Sequence, residues 1–175
     1  MNVPRSEGGP ASAQERKTID APAFREAMSR LGAAVHVVTT AGHAGQAGFT
    51  ATAVTSVSDN PAMLLVCLNR TSLSTPVLQA NGVFCVNTLR AGEEAIADAF
   101  AGRTGSRAER FSAGEWTTLS TGSPVLASAV VAFDCRVVEV KAMASHNVIF
   151  GEVVAVRLGP AAAALVYHER SYKQV

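Results

Sequence analysis

The run from Gly48 to Ser58 sets hydroxyls at even spacing, Thr50, Thr52, Ser56 and Ser58, with Ala and Val in much of the opposite register. In a strand this makes a row of small hydrogen-bonding groups on one face and leaves the backbone approachable. A flat polar heterocycle can lie against such a face, although an ordinary solvated strand has the same composition. The segment Asn69-Arg70-Thr71-Ser72-Leu73-Ser74-Thr75 leaves an apolar strand-like run and enters a helix start. One arginine, several hydroxyls and the free N–H groups of a helix N-terminus form a phosphate cradle, or else a polar loop with its cap. The two segments are more persuasive together, since one can hold rings and the other the phosphate of a single mononucleotide. His146-Asn147 opens the apolar stretch Val148–Ala155, where an imidazole can donate to a phosphate or amide, pack on a planar ligand, or simply occupy a turn. Tyr167, His168, Arg170 and Tyr172 form an aromatic and basic cluster suited to a pocket border or a dimer seam.

Other chemistries lack their residues. Gly42, Gly45 and Gly48 follow a strand, but G-x-x-G-x-x-G is not the dinucleotide fingerprint and β-branched residues follow instead of a helix. Cys67, Cys85 and Cys135 each sit in an apolar run, as small buried hydrophobes do, and the four histidines show no metal-ligand spacing. There is no nucleophile elbow with a Ser–His–acid order and no acidic pair for general acid/base work. That pattern suits redox chemistry, in which a cofactor supplies the hard step and the protein supplies geometry. A net charge of +1 gives no general attraction to nucleic acid or an anionic membrane, and apolar runs such as Ala62–Leu68 and Val125–Phe133 are far too short to span a bilayer. The cytoplasm is the expected location.

The 175 residues suffice for one hydrophobic core, and 48% hydrophobic against 17% charged residues leaves apolar surface for a subunit interface. Residues 1–18 are polar and aperiodic and read as a flexible N-terminal tail; residues 19–175 read as the folded domain. Asp20 caps a helix that Pro22 helps start, with Phe24, Ala27, Met28 and Leu31 as its buried stripe. Val35–Thr40 and Phe49–Val57 suggest a hairpin, Met63–Leu68 a buried strand, and Ser74–Gln79 a short helix capped by Ser74 and closed at Asn81-Gly82. Val83–Leu89 is the next strand and Glu93–Phe100 the next helix, after which Gly102–Thr118 is a surface excursion pinned by Phe111 and Trp116. Three further strand-like stretches complete the chain. Six or seven strands with three short helices, lacking strand–helix alternation, predict a mainly β protein whose closed or split antiparallel barrel hides its apolar edges.

Several segments in fixed order carry a family resemblance: Phe24-Arg25-Glu26-Ala27-Met28, Gly32-Ala33-Ala34-Val35, Ala47-Gly48-Phe49-Thr50-Ala51, Leu65-Val66-Cys67-Leu68-Asn69-Arg70, Cys85-Val86-Asn87-Thr88-Leu89, Phe133-Asp134-Cys135-Arg136 and Arg170-Ser171-Tyr172. The chain resembles the short-chain flavin reductases of two-component monooxygenase systems, which have a flavin reductase-like, FMN-binding split β-barrel. It is most similar to those that reduce FMN with NADH. The resemblance implies that Thr50, Ala51, Thr52 and Ala53 run beside the isoalloxazine ring and that Ser56, Val57 and Ser58 continue that wall. It puts Cys67, Leu68 and Asn69 at a strand exit by the flavin, Arg70, Ser72, Ser74 and Thr75 near the ribityl phosphate, and Phe84 and Asn87 on a further border. His146 matches a histidine near flavin and nicotinamide, and Tyr172 a C-terminal aromatic. The family's Gly-Asp-His reads here Ala144-Ser145-His146, without the acidic group.

The implied reaction carries a hydride from NADH or NADPH to loosely bound FMN or FAD. It requires nicotinamide C4 to lie over flavin N5 at roughly 3–3.5 Å. Small residues at 51 and 53 leave room for that stack, while Thr50, Thr52 and nearby N–H groups favour charge arriving on the reduced ring. His146 acts through position and electrostatics. The resemblance also implies a homodimer and release of reduced flavin to a separate monooxygenase, while the charge balance and short apolar runs lead us to expect no nucleic-acid or membrane partner. The competing readings are a non-catalytic flavin carrier or sensor, a pyridoxamine-phosphate oxidase-like FMN enzyme, and a purely structural dimerisation module.

Overall fold

The computed structural model describes residues 18–103 and 109–175, so almost all of the tail expected at 1–18 lies outside the described residues. In chain order the elements are α1 (Ala21–Ser29), β1 (Ala33–Ala34), β2 (His36–Gly42), β3 (Gly45–Ala51), β4 (Val54–Asp59), β5 (Ala62–Asn69), α2 (Ser74–Asn81), β6 (Val83–Thr88) and α3 (Glu94–Phe100). A 3₁₀ turn at Arg110–Ala113 precedes β7 (Trp116–Thr118), β8 (Pro124–Leu126), β9 (Val131–Met143), β10 (His146–Leu158), β11 (Leu165–His168) and β12 (Ser171–Gln174).

Seven strands form one sheet in the order β3-β2-β6-β9-β10-β5-β4, and every neighbouring pair is antiparallel. Direction alternates along such a sheet, so its two edge strands, β3 and β4, run the same way. They are also successive in the chain, separated only by Thr52 and Ala53. Two residues span well under about 10 Å, so the sheet has to roll until its edges meet. Gly45–Asp59 is thus one long strand bent at Thr52-Ala53 that supplies both edges of a barrel. The bend also breaks the expected row of hydroxyls, because residues before and after it belong to opposite edges.

The interior holds Val38, Val66, Leu78, Phe84, Val86 and Ile149. Gly151 makes room for the Phe84 ring, since a Cβ there would fall 2.5 Å from Phe84 Cζ. A second core fills the space outside the sheet under α3, with Val35, Val37, Leu89, Ile96, Phe100, Leu126 and Leu165. Val37 and Val38 therefore point into different cores, which explains why β2 is apolar on both faces instead of alternating.

Two local expectations change. Asp20 does cap α1, accepting from the Ala23 N–H at 2.7 Å, but the stripe along α1 is not buried in this chain: Phe24, Met28 and Leu31 are 54%, 46% and 58% exposed. Among the described residues no second layer covers that side of the helix. Ser74 does not cap α2; its hydroxyl donates to the Gly48 carbonyl at 3.0 Å, while the Ser72 hydroxyl accepts from the Ser74 N–H at 3.3 Å. The helix closes at Gly82, whose φ of 66° is the left-handed conformation glycine adopts freely.

The three cysteines are unbridged, and burial pushes the Cys85 and Cys135 thiols up, Cys135 to about 12, so both stay protonated as small hydrophobes. Among the described residues no group of three or more His, Cys, Asp or Glu could hold a metal ion, and no helix is long and apolar enough to cross a membrane.

Candidate active site

A cavity of about 320 Å³ opens where the bent strand meets β5. Phe49 and Thr50 from β3 form one side; Cys67, Leu68 and Asn69 from the end of β5 form the other. Ser72, Leu73 and Ser74 close the end at the entry to α2, Phe100, Ala101 and Arg110 cover it from α3 and the 3₁₀ turn, and His146 stands at the mouth.

The cavity's edges are held by local bonds. Asn69 Oδ1 accepts from both the N–H and the hydroxyl of Thr71 at 2.9 Å, and the Asn69 carbonyl accepts from the Thr75 hydroxyl at 2.8 Å, so the loop folds back on the strand it leaves. The Thr50 hydroxyl donates to the Ala97 carbonyl at 2.6 Å, tying β3 to α3. Register sets His146 opposite Asn69 in the β10–β5 ladder, and the Ser145 hydroxyl lies 2.9 Å from His146 Nδ1, engaging one ring nitrogen. Arg70 binds this turn twice, through its own N–H to the Ser145 carbonyl at 3.0 Å and through Nη1 to the Ala144 carbonyl at 3.3 Å. Ala144 has a φ of 51°, so the turn places an L-residue where glycine fits without strain.

The candidates from the sequence thus divide. Thr50, Cys67, Leu68, Asn69, Ser72, Ser74 and His146 meet in the cavity wall. Thr75 is buried just behind it, and Ala51 faces the barrel interior. Arg70 is exposed and turned to the β9–β10 turn. Thr52 and Ala53, at the bend, line a separate apolar groove of about 580 Å³ against Phe24, Met28, Leu31 and Tyr167. Ser56 and Ser58 line a third depression with Phe133 and Val153, and Val57 stands on the bulge between them. Phe84 and Asn87 are fully buried in the core, where every polar atom of Asn87 is bonded within the chain. Tyr172 packs on Tyr167 and donates its hydroxyl to Asp98 Oδ1 at 2.9 Å, an oxygen that also accepts from Arg103 Nη1 at 2.9 Å. Burial, followed by that carboxylate, pushes the Tyr172 hydroxyl up to about 12, so it stays a donor. Its role is to fasten the C-terminal hairpin to α3.

Phe49, Leu73, Phe100, Ala101 and Arg110 are wall residues that the sequence reading did not single out. The signal for Arg110 was its neighbour: Phe111 packs edge-on against Phe100 with ring centres 5.0 Å apart, and Trp116 Nε1 donates to the Phe111 carbonyl at 2.8 Å. An arginine beside so firmly pinned an aromatic cannot move freely. Its Nε, like that of Arg157, is buried without a hydrogen-bond partner among the described residues, a state that costs about 1–3 kcal/mol, while its outer guanidinium borders the cavity. Hydroxyls, an amide, apolar walls and one cation suit a flavin mononucleotide moiety, which combines a flat heterocycle with a polyol and a phosphate.

Known proteins match this chain over nearly its whole length. The family model for a flavin reductase like domain matches residues 28–175. The chain is 52% identical over 152 residues to the FMN reductase (NADH) RutF of Variovorax paradoxus strain S110, spanning 87% of this chain and 84% of that one. Among solved structures, it superposes with a TM-score of 0.83 on BorF, the flavin reductase component of a bacterial two-component tryptophan halogenase, at 27% identity over 89% of this chain and 98% of that one. It matches the NADH:FAD oxidoreductase SgcE6 of Streptomyces globisporus C-1027, in complex with NAD and FAD fragments, with a TM-score of 0.82 at 27% identity over 89% of this chain and 93% of that one.

Proposed function

The chain belongs to the flavin reductase-like family, and on that premise we propose that the cavity between β3 and β5 is where it reduces flavin with a nicotinamide. The protein is an NAD(P)H:flavin oxidoreductase that feeds reduced flavin to a partner oxygenase. The preferred pair is FMN and NADH, and the observation that carries the site is the convergence of Thr50, Asn69, Ser72, Ser74 and His146 on one cavity.

The bound flavin and nicotinamide supply the chemistry itself: a hydride passes from nicotinamide to flavin and a proton from solvent balances the product. The chain's residues do the rest. Phe49, Leu68 and Phe100 exclude water from the ring faces, where desolvation strengthens every electrostatic contact. Ser72, whose hydroxyl among the described residues only accepts from the Ser74 N–H, has its proton free for the phosphate end, while Ser74 spends its own on the Gly48 carbonyl. Ser145 holds His146 Nδ1, which aims the remainder of the imidazole at the mouth, where the nicotinamide enters. Few charges line the cavity, which suits a flavin that must leave after reduction.

Anaerobic stopped-flow absorbance at the oxidised-flavin band tests this directly. Protein-dependent bleaching with FMN and NADH is expected; binding without bleaching would make the protein a carrier. His146→Ala should lower kcat/KM for NADH on the order of tenfold with flavin affinity nearly unchanged. Equal loss of flavin binding would instead place His146 in the flavin shell.

The domain runs over residues 19–175 and works as a homodimer in the cytoplasm, a reducing compartment in keeping with its three free cysteines. The uncovered α1 stripe of Phe24, Met28 and Leu31, beside an apolar groove, supports the dimer. Light scattering should give twice the chain mass for the native protein and the single-chain mass for Met28→Glu. A native protein that is monomeric at micromolar concentration would end this reading.

A further inference from the structure

Two arginines stand near the phosphate end of the cavity, and their surroundings differ. Arg70, the cation nearest in sequence to the serine loop, spends its guanidinium on the Ala144 carbonyl and lies in solvent. Arg110 comes from the opposite wall. Its Nη1 reaches the Gly48 carbonyl only at 3.5 Å, and that oxygen already accepts from the Ser74 hydroxyl at 3.0 Å. The shared oxygen places the guanidinium beside Ser74, at the entry to α2, and Nε is left buried with no acceptor among the described residues.

Its position is also enforced. Phe111, the next residue, is wedged between Phe100 and Trp116 at 5.0 and 5.1 Å between ring centres, so the backbone at Arg110 cannot swing outward. A Cβ on Gly102 would lie 3.3 Å from Nη2, so the glycine leaves the guanidinium its space. None of the described residues lining the cavity is acidic, and the nearby Asp98 carboxylate is engaged by Arg103 and Tyr172. A cation held beside Ser74 and lining a cavity with no carboxylate among its described lining residues suits an anion with several acceptor oxygens, which the outer guanidinium N–H groups can meet.

We infer that Arg110, not Arg70, recognises the phosphate group carried by the flavin, and that it makes the protein prefer a phosphorylated flavin over riboflavin. The inference rests on the flavin-binding reading of the cavity. The same chemistry is offered by the diphosphate of the nicotinamide, so the test separates the two sources.

Binding of FMN and of riboflavin is measured by flavin fluorescence on the native protein, Arg110→Gln, Arg110→Lys and Arg70→Gln, with the KM for NADH alongside and melting curves as the check on folding. The native protein should bind FMN at least on the order of tenfold more tightly than riboflavin, as expected of a charge-assisted fork. Arg110→Gln should remove most of that preference by weakening FMN alone, Arg110→Lys should keep part of it, and Arg70→Gln should leave it intact. A native protein that binds both flavins equally overturns the inference without recourse to any variant. So does a loss in Arg110→Gln confined to the KM for NADH, which would give the guanidinium to the dinucleotide, or a preference lost in Arg70→Gln instead. If the native protein binds neither flavin, the reading of the cavity falls with it.

Discussion

Asn87→Ala should lose about 3 kcal/mol of stability and keep the native KM for flavin. Family resemblance sets this residue on a border of the flavin site, but its side chain is a structural bracket. Asn87 Nδ2 donates to the Val37 carbonyl at 3.1 Å and to the Thr39 hydroxyl at 3.2 Å, and its Oδ1 accepts from the Leu126 N–H at 2.8 Å. One amide thereby joins β2, β6 and the β8 segment in a region with no solvent exposure. Truncation strips partners from buried backbone groups, each costing about 1–3 kcal/mol, and adds a small void. For a domain of this size the melting temperature should fall by roughly 6–12 °C, read by calorimetry. An unchanged melting temperature together with a raised flavin KM would return Asn87 to the site.

Acidification should cost the protein about 3 kcal/mol between neutral pH and pH 4 through one histidine. His36 is buried between β3 and β6, with Nδ1 3.0 Å from the Thr88 hydroxyl, and burial lowers its pKa from 6.5 to about 4. Between those values the unfolded chain binds a proton that the folded chain refuses, so stability rises with pH. The contribution is complete above about 6.5 and is lost as pH falls through that window toward 4. Urea denaturation at pH 7 and pH 4.5 measures it, and His36→Gln should flatten this part of the profile. If the variant shows the native slope, other groups set the acid sensitivity.

How far the sequence could be read depended on whether a residue's task was local. The loop from Asn69 to Ser74 was legible because its polar residues follow a buried strand at once and bond mainly to one another. His146 was legible for the same reason, standing at the start of an apolar strand. The row Thr50, Thr52, Ser56 and Ser58 was legible as strand but misleading as a single face, because the bend comes from closure of the whole sheet, which no window of residues reports. The α1 stripe had the right period, yet periodicity says only that a face seeks cover, not that the same chain provides it. Phe84 and Asn87 carry family-matching residues while the packing turns them into the core. Arg110 went unnoticed because what marks it, a guanidinium across from Ser74, exists only after Phe111 has been wedged against Phe100 and Trp116.

The barrel has a seam, and the cavity lies across it. Neighbouring strands of the sheet are laced by ladders of backbone bonds, whereas β3 and β5 are not paired and face each other across the cavity; the Cys67 N–H to Ala53 carbonyl bond, at 3.1 Å, continues the β4–β5 ladder as far as the bend. A molecule seated there touches both margins and acts as a removable rivet. A ligand held at both margins is expected to restrain local opening there, so amide exchange along β3 and β5 should slow when the site is filled; equal exchange with and without ligand would show that the seam does not depend on occupancy.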